Sequence, residues 1–341
     1  MPVATRERYA AMLDAAASGG YALPSINVTS SDTLVAVLQG LAAARADGIV
    51  QVTVGSAMYL GGDAAGAAGG ARVLAAMAPE LAGAHPVYVA LHTDHCPPQH
   101  VPDFLEPLIA ESERRVAGGD EPLFVSHMFD GSTLPLADNL GRSRDLLDRL
   151  ARIGVVLELE VGVVGGEEDG IGSADTPSER LYTTPSDLEQ VAATLGTGER
   201  GRYLLAATFG NVHGHYAPGR VKLRPEILAD GQAVAEAARP GARFAYVFHG
   251  SSGSTPADLA AAIEHGVVKV NLDTDAQYAY TRAVADHVFH EYDGVLQVDG
   301  GMGRKSAYDP RTWGRRARAG MAARVTQAAE ELGAAGRTIA G

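Results

Sequence analysis

In this sequence the residues able to do metal or proton chemistry stand where apolar runs stop. The run Val87-Tyr-Val-Ala-Leu91 ends in His92-Thr-Asp-His95. A later run, Val155–Val163, alternates Glu158 and Glu160 with Leu157, Leu159 and Val161, so both carboxylates share one face of a strand. Further runs end at Asp130, His213 and His249. Imidazole and carboxylate are the groups that hold zinc and that exchange protons in catalysis. His95, His213 and His249 have no local spacing, so they make a metal motif only if the chain brings their strand ends together. Three neutral imidazoles would then leave one position open, as a catalytic zinc requires. Asp94, beside His95, is a candidate acid or base, with capping of the following turn as its ordinary alternative. Asp130 and Glu160 could hold a second divalent metal or orient the ligands of the first. Glu158 sits deeper on the same face and suits a structural ion pair. Glu167 and Glu168 are either solvated charges or a base that closes over the site.

Apolar periodicity predicts the elements that must position these groups. Helices are expected over residues 4–18, 31–46, from about 71 to 84, 98–116, 135–153, 225–238, from 256, and over 274–290 and 309–332. Strands are expected over 22–28, 49–54, 87–95, 123–129, 155–163, 203–209, 244–248 and 267–272, with 165–184 as a long loop and a helix-capping signature from Ser132 to Asp138. Eight strands alternating with helices are the pattern of a (β/α)8 TIM barrel with extra N-terminal and C-terminal helices, a single domain over 1–341. Each strand delivers a polar residue at its carboxyl end: Asn27, Thr53, Asp94/His95, Asp130, Glu160, His213, His249 and Asn271/Asp273. In a barrel those ends surround one mouth. An open doubly wound sheet would need a glycine fingerprint after its first strand, which this chain lacks. Gly250-Ser-Ser-Gly-Ser254 and Asn271–Thr274 follow strands seven and eight, where barrels commonly bind phosphate.

Composition narrows the class further. With 341 residues, 46% of them hydrophobic, the chain can bury a large core; its net charge of −13 argues against a nucleic-acid or anionic-membrane surface. Cys96 is the only cysteine, which fits a reducing, cytoplasmic setting, and no apolar run reaches the length of a membrane span. A Schiff-base mechanism needs a lysine in the site; of Lys222, Lys269 and Lys305 only Lys269, on strand eight, is placed for it, and an ion pair with a strand-five glutamate is its alternative. His287 and His290 are expected on the surface, and His85, His100 and His265 in loops or at helix ends.

Taken together, several motifs make the chain similar to class II fructose-1,6-bisphosphate aldolases of the long, actinobacterial type. They are His92-Thr-Asp-His-Cys96, Leu157-Glu-Leu-Glu160 with Gly165-Gly-Glu-Glu-Asp-Gly170, Phe209-Gly-Asn-Val-His-Gly214, Phe248-His-Gly250, Asn271-Leu-Asp-Thr-Asp275 and Tyr308-Asp-Pro-Arg311. The resemblance implies zinc on His95, His213 and His249, acting as a Lewis acid at a ketose carbonyl, with Asp94 moving the proton at the aldehyde oxygen. It implies Glu168 at the carbon of dihydroxyacetone phosphate, a second metal position at Asp130 and Glu160, and a monovalent cation. Asn27, Thr53, Gly214, Arg220, Gly250, Ser251, Ser252, Asn271, Asp273 and Thr274 become substrate contacts, and Arg311 reaches the far phosphate, from a neighbouring subunit in dimeric relatives. The expected partners are a phosphorylated sugar and further copies of the chain, as a homodimer or homotetramer.

The departures from that pattern fall on the donor side. The family has lysine where this chain has Ala217, an apolar residue at His215, and glycine at Ser251; Arg220 is a new cation nearby. They leave open the same chemistry on another ketose, such as tagatose bisphosphate or a sugar of specialised metabolism. Two other readings are a metal hydrolase using His213-x-His215 and a non-catalytic partner subunit.

Overall fold

The β-branched and apolar runs pair side by side into a closed, all-parallel barrel. The computed structural model describes residues 2–168, 171–172, 181–213, 223–296 and 301–340. Its barrel strands are β1 (Leu23–Asn27), β2 (Gly48–Val52), β3 (Val89–Thr93), β4 (Ser126–Phe129), β5 (Val156–Val161), β6 (Tyr203–Ala207), β7 (Tyr246–Phe248) and β8 (Val267–Leu272). Each strand pairs with its neighbours in sequence, and β8 closes on β1 through Ser25 opposite Asn271.

The helices between them are α1 (Arg6–Gly19), α2 (Ser31–Ala44), α3 (Val54–Ala82), α4 (Glu106–Ala117), α5 (Leu136–Ala151), α6 (Pro185–Leu195), α7 (Glu226–Ala238), α8 (Pro256–Glu264) and α9 (Thr274–His290). A C-terminal helix, Pro310–Glu331, packs along α2 and α9. α1 closes the floor, where the buried Tyr9 ring sits beside Ser126 and Glu158. Leu, Ile and Val from the outer strand faces pack under the helices, each fully buried side chain contributing about 1.5–3 kcal/mol.

The structure departs from the sequence expectations at five places. α6 was not anticipated, although Thr184 caps it, Pro185 opens it, and Asp187 closes a capping box with Thr184. α3 begins at Val54 and tolerates Ala- and Gly-rich sequence by breaking at Gly62 and Gly66, both at φ 63°. The expected loop at 165–184 carries two short strands, Gly165–Glu168 and Ile171–Gly172. α5 starts after Pro135 with no side-chain cap, so the Ser132–Asp138 signature is not used. His287 is also buried rather than exposed, its Nε2 2.7 Å from the Ala307 carbonyl.

Candidate active site

The inward faces of the strands carry a polar column that would be costly in an apolar core unless every group were bonded. At its centre is Lys269, fully buried, whose ammonium donates to Glu158 at 2.9 Å and to Asn271 Oδ1 at 2.6 Å. The lysine is therefore a structural cation, in keeping with the ion-pair alternative for it. His92 lies on the same layer, 2.9 Å from Ser126 Oγ and 3.5 Å from Glu158. Burial, with Lys269 beside it, pushes the His92 imidazole down to about 4, so it is neutral.

Asp94 stands one residue beyond β3, its N–H still donating to Val52 at 2.9 Å as a continuation of the ladder. Its carboxylate is fully buried and held by two amides. Gln51 Nε2 donates to Oδ2 at 2.8 Å and Asn271 Nδ2 to Oδ1 at 3.1 Å. Gln51 is oriented in turn by the Ser25 hydroxyl, which donates to its Oε1. Burial opposes the charge on Asp94, but His95, Lys269 and His92 outweigh it and hold the carboxyl below its usual range.

His95 has the opposite strand parity, so alternation alone would turn it outward. It reaches the mouth because the strand has ended and its backbone takes φ 21°, an uncommon value for a residue with a Cβ. Its ring then lies 4.6 Å from that of His249, and Nδ1 is 3.2 Å from Asp130. Asp130 is fixed by the Ser132 N–H at 3.0 Å. His249 follows β7 and is clamped between two carboxylates, with Nε2 2.9 Å from Glu158 and Nδ1 2.9 Å from Glu160. Burial disfavours its charge, yet the Glu158 and Glu160 hydrogen bonds prevail and raise it to about 9. Its carbonyl accepts from Asn211 Nδ2 at 2.8 Å, which ties it to the segment that carries His213.

Among the described residues, Asp94, His95 and His249 offer ligand atoms all within 4.8 Å of one another, as do His95, Asp130 and Glu160. Two imidazoles and three carboxylates at that spacing suit a divalent metal of the zinc type. The main chain brings two more expected residues alongside. His213 ends the short strand Val212–His213, which pairs with Gly165–Glu168 through Gly166 opposite His213.

Other expected contacts divide by position. Asn27, only 3% exposed at the end of β1, has neither side-chain polar atom bonded among the described residues, the state expected of a group reserved for a ligand. Thr53 is spent as the cap of α3, accepting from Ser56 N–H at 3.1 Å. Ser251 is buried with its hydroxyl donating to the Asn271 carbonyl at 2.8 Å, while Gly250 turns the chain at φ 61° and Ser252 is largely covered. Asp273 precedes α9 and accepts from Gln277 at 2.6 Å, and Thr274 begins that helix. Arg311 is 79% exposed and folds onto Asp309 at 2.6 Å rather than into this mouth. Gly214, Arg220, His215 and Ala217 lie outside the described residues. Sequence reasoning missed Gln51, Ser25 and Asn211. A lone polar residue on the inward parity of an otherwise apolar strand was the available signal for the first two.

Fold and mouth together define a (β/α)8-barrel enzyme whose imidazoles and carboxylates converge from the strand ends. The family model described as fructose-bisphosphate aldolase class-II matches residues 7–337. The chain is 53% identical to a fructose-bisphosphate aldolase of Streptomyces coelicolor over 344 residues, covering 99% of this chain and 100% of the relative. It is 50% identical to one of Mycobacterium leprae, over 100% of this chain and 99% of the relative. A crystal structure of fructose-bisphosphate aldolase from Campylobacter jejuni superposes with a TM-score of 0.82 at 34% identity, covering 98% of this chain and 96% of that one. The chain belongs to the class II fructose-bisphosphate aldolase family. It is accordingly a lyase, which leaves the hydrolase and partner-subunit readings without support.

Proposed function

We propose that this chain cleaves and forms the carbon–carbon bond of fructose 1,6-bisphosphate with Asp94 and Glu168 as its proton-moving groups. In cleavage, Asp94 takes the proton of the hydroxyl that becomes the aldehyde oxygen. The electron pair of the broken bond stays with the dihydroxyacetone phosphate half, and Glu168 delivers a proton to that carbon. Zinc, held by His95, His213 and His249, would supply Lewis-acid polarisation of the ketose carbonyl. Asp130 and Glu160 orient His95 and His249, and with His95 would hold a second divalent metal. Asn27, with Asn271, Gly250 and Ser252, receives the donor half.

The observation that carries this reading is Asp94 itself. Its two oxygens accept from Gln51 and Asn271, so it is presented as a carboxylate within ligand distance of His95 and His249. That is the state needed to accept a hydroxyl proton. The altered-donor alternative rested on Ala217, His215 and Ser251; Ser251 has its hydroxyl engaged by Asn271, which leaves the argument to the other two.

The test is Asp94→Asn in zinc-loaded protein. Cleavage falls by about two to four orders of magnitude while zinc content holds. Chelation abolishes activity and zinc restores it. Activity surviving full metal removal, or substrate trapped by borohydride, overturns the reading. The exposed Tyr278, Phe289, Tyr292 and Met302 support a homo-oligomer, read by sedimentation, in which Arg311 serves a neighbouring mouth. No helix among the described residues is long and apolar enough to cross a membrane, in keeping with a cytoplasmic enzyme.

A further inference from the structure

We infer that Ser251 is a positioning residue, whose hydroxyl fixes the end of β8 so that Asn271 keeps the Asp94 carboxylate aligned. The inference rests on the aldolase reading above. β7 stops at Phe248, whose partner in β8 is Val270, so the ladder between these strands has run out one residue before Asn271 is reached. At that point the Ser251 hydroxyl donates to the Asn271 carbonyl at 2.8 Å, replacing the missing rung with a side chain. The glycine of the similar family pattern offers no such donor.

Ser251 does not face substrate. It is 6% exposed and lines a cavity of about 240 Å³ with Leu259, Val270, Leu272 and Ala328. Val270 and Leu272 alternate with the inward Lys269 and Asn271, so this cavity is on the helix side of β8. The turn bearing Ser251 is braced from within, Ser254 N–H donating to the Ser251 carbonyl at 3.0 Å. From Asn271 the link continues through the side chain, with Oδ1 accepting from Lys269 at 2.6 Å and Nδ2 donating to Asp94 at 3.1 Å. The last of these is the longest bond in the series, and the first to be lost if the strand end shifts.

The experiment compares Ser251→Ala, Ser251→Gly and Ser251→Thr in zinc-loaded protein, reading fructose 1,6-bisphosphate cleavage and the solvent exchange of the dihydroxyacetone phosphate carbon proton. Exchange does not use Asp94. Ser251→Ala and Ser251→Gly are expected to lower kcat for cleavage about tenfold, with KM and exchange moving less than about twofold. Ser251→Thr, whose methyl enters the cavity, restores cleavage. A rise in KM at unchanged kcat, an equal loss of exchange, or full activity in Ser251→Ala overturns the inference. If the unmodified protein neither cleaves nor exchanges, the aldolase reading fails instead. A crystal structure of Ser251→Ala then judges the Ser251 link directly, an unchanged contact between Asn271 and Asp94 sinking it and a separated pair upholding it.

Discussion

Lys269 and Glu158 face each other across the barrel at 2.9 Å with neither side chain exposed to water. Removing one member leaves a buried charge without its partner, which costs about 3–5 kcal/mol. Lys269→Met is therefore expected to lower the unfolding free energy by that amount in urea titrations. It should also disturb His249, which shares Glu158. A loss under about 1 kcal/mol, in the range of an exposed pair, would mean the charge is not needed to hold the column together.

Gln51 gives a more local prediction. Gln51→Met keeps the volume but removes the donor to Asp94 Oδ2 and the acceptor for Ser25. One hydrogen bond to a charged group is worth about 1.5–3 kcal/mol, so turnover should drop by roughly 10- to 150-fold with zinc content unchanged. Zinc loss in proportion to activity would place Gln51 in metal binding instead.

Glu168→Gln addresses the donor carbon. Turnover is expected to fall by about two to four orders of magnitude, with much smaller change in donor binding. Near-normal turnover would return Glu168 to the solvated charges.

His127 supplies a pH dependence away from the mouth. It is fully buried against Thr93 at 2.8 Å, and burial pushes its imidazole down to about 3. The unfolded chain takes up this proton near pH 6.5 and the native chain only near 3, so stability falls as pH drops through that window. His127→Gln should show a shallower decline of the urea midpoint between pH 7 and 4 than the unmodified protein. Parallel curves would show that His127 is not the group responsible.

The charge at the donor phosphate is tested by Ala217→Lys and Arg220→Ala. If the native protein cleaves fructose 1,6-bisphosphate well and Arg220→Ala abolishes it, Arg220 replaces the lysine of the similar pattern. Poor native activity restored by Ala217→Lys would instead identify an aldolase retuned to another donor.

Much of this site could be read from the chain because a barrel converts strand order into proximity. Asp94, Asp130 and His249 each follow an apolar run, and eight such runs imply a common mouth. Polar groups inside the runs were harder to read. Gln51 in Gly48–Val52 and Ser25 in Leu23–Asn27 look like single interruptions, and only three-dimensional pairing makes them a relay onto Asp94. His95 has the parity that points outward, and the backbone turn that carries it to the mouth cannot be read from periodicity. The opposite failure occurred at α6, where the Thr184, Pro185 and Asp187 signature was present and overlooked. The resemblance makes Thr53 and Ser251 substrate contacts, whereas their hydroxyls are committed to a helix start and a strand end.

The pairing of Gly165–Glu168 with Val212–His213 bears on any attempt to re-engineer the enzyme. The segment carrying Glu168 and the segment carrying His213 share backbone hydrogen bonds although more than forty positions separate Glu168 from His213 in sequence. A loop grafted from a relative at either place alone would meet a mismatched edge. The two segments are a single module for transplantation, and a chimera that swaps both should keep its metal where one that swaps either should lose it.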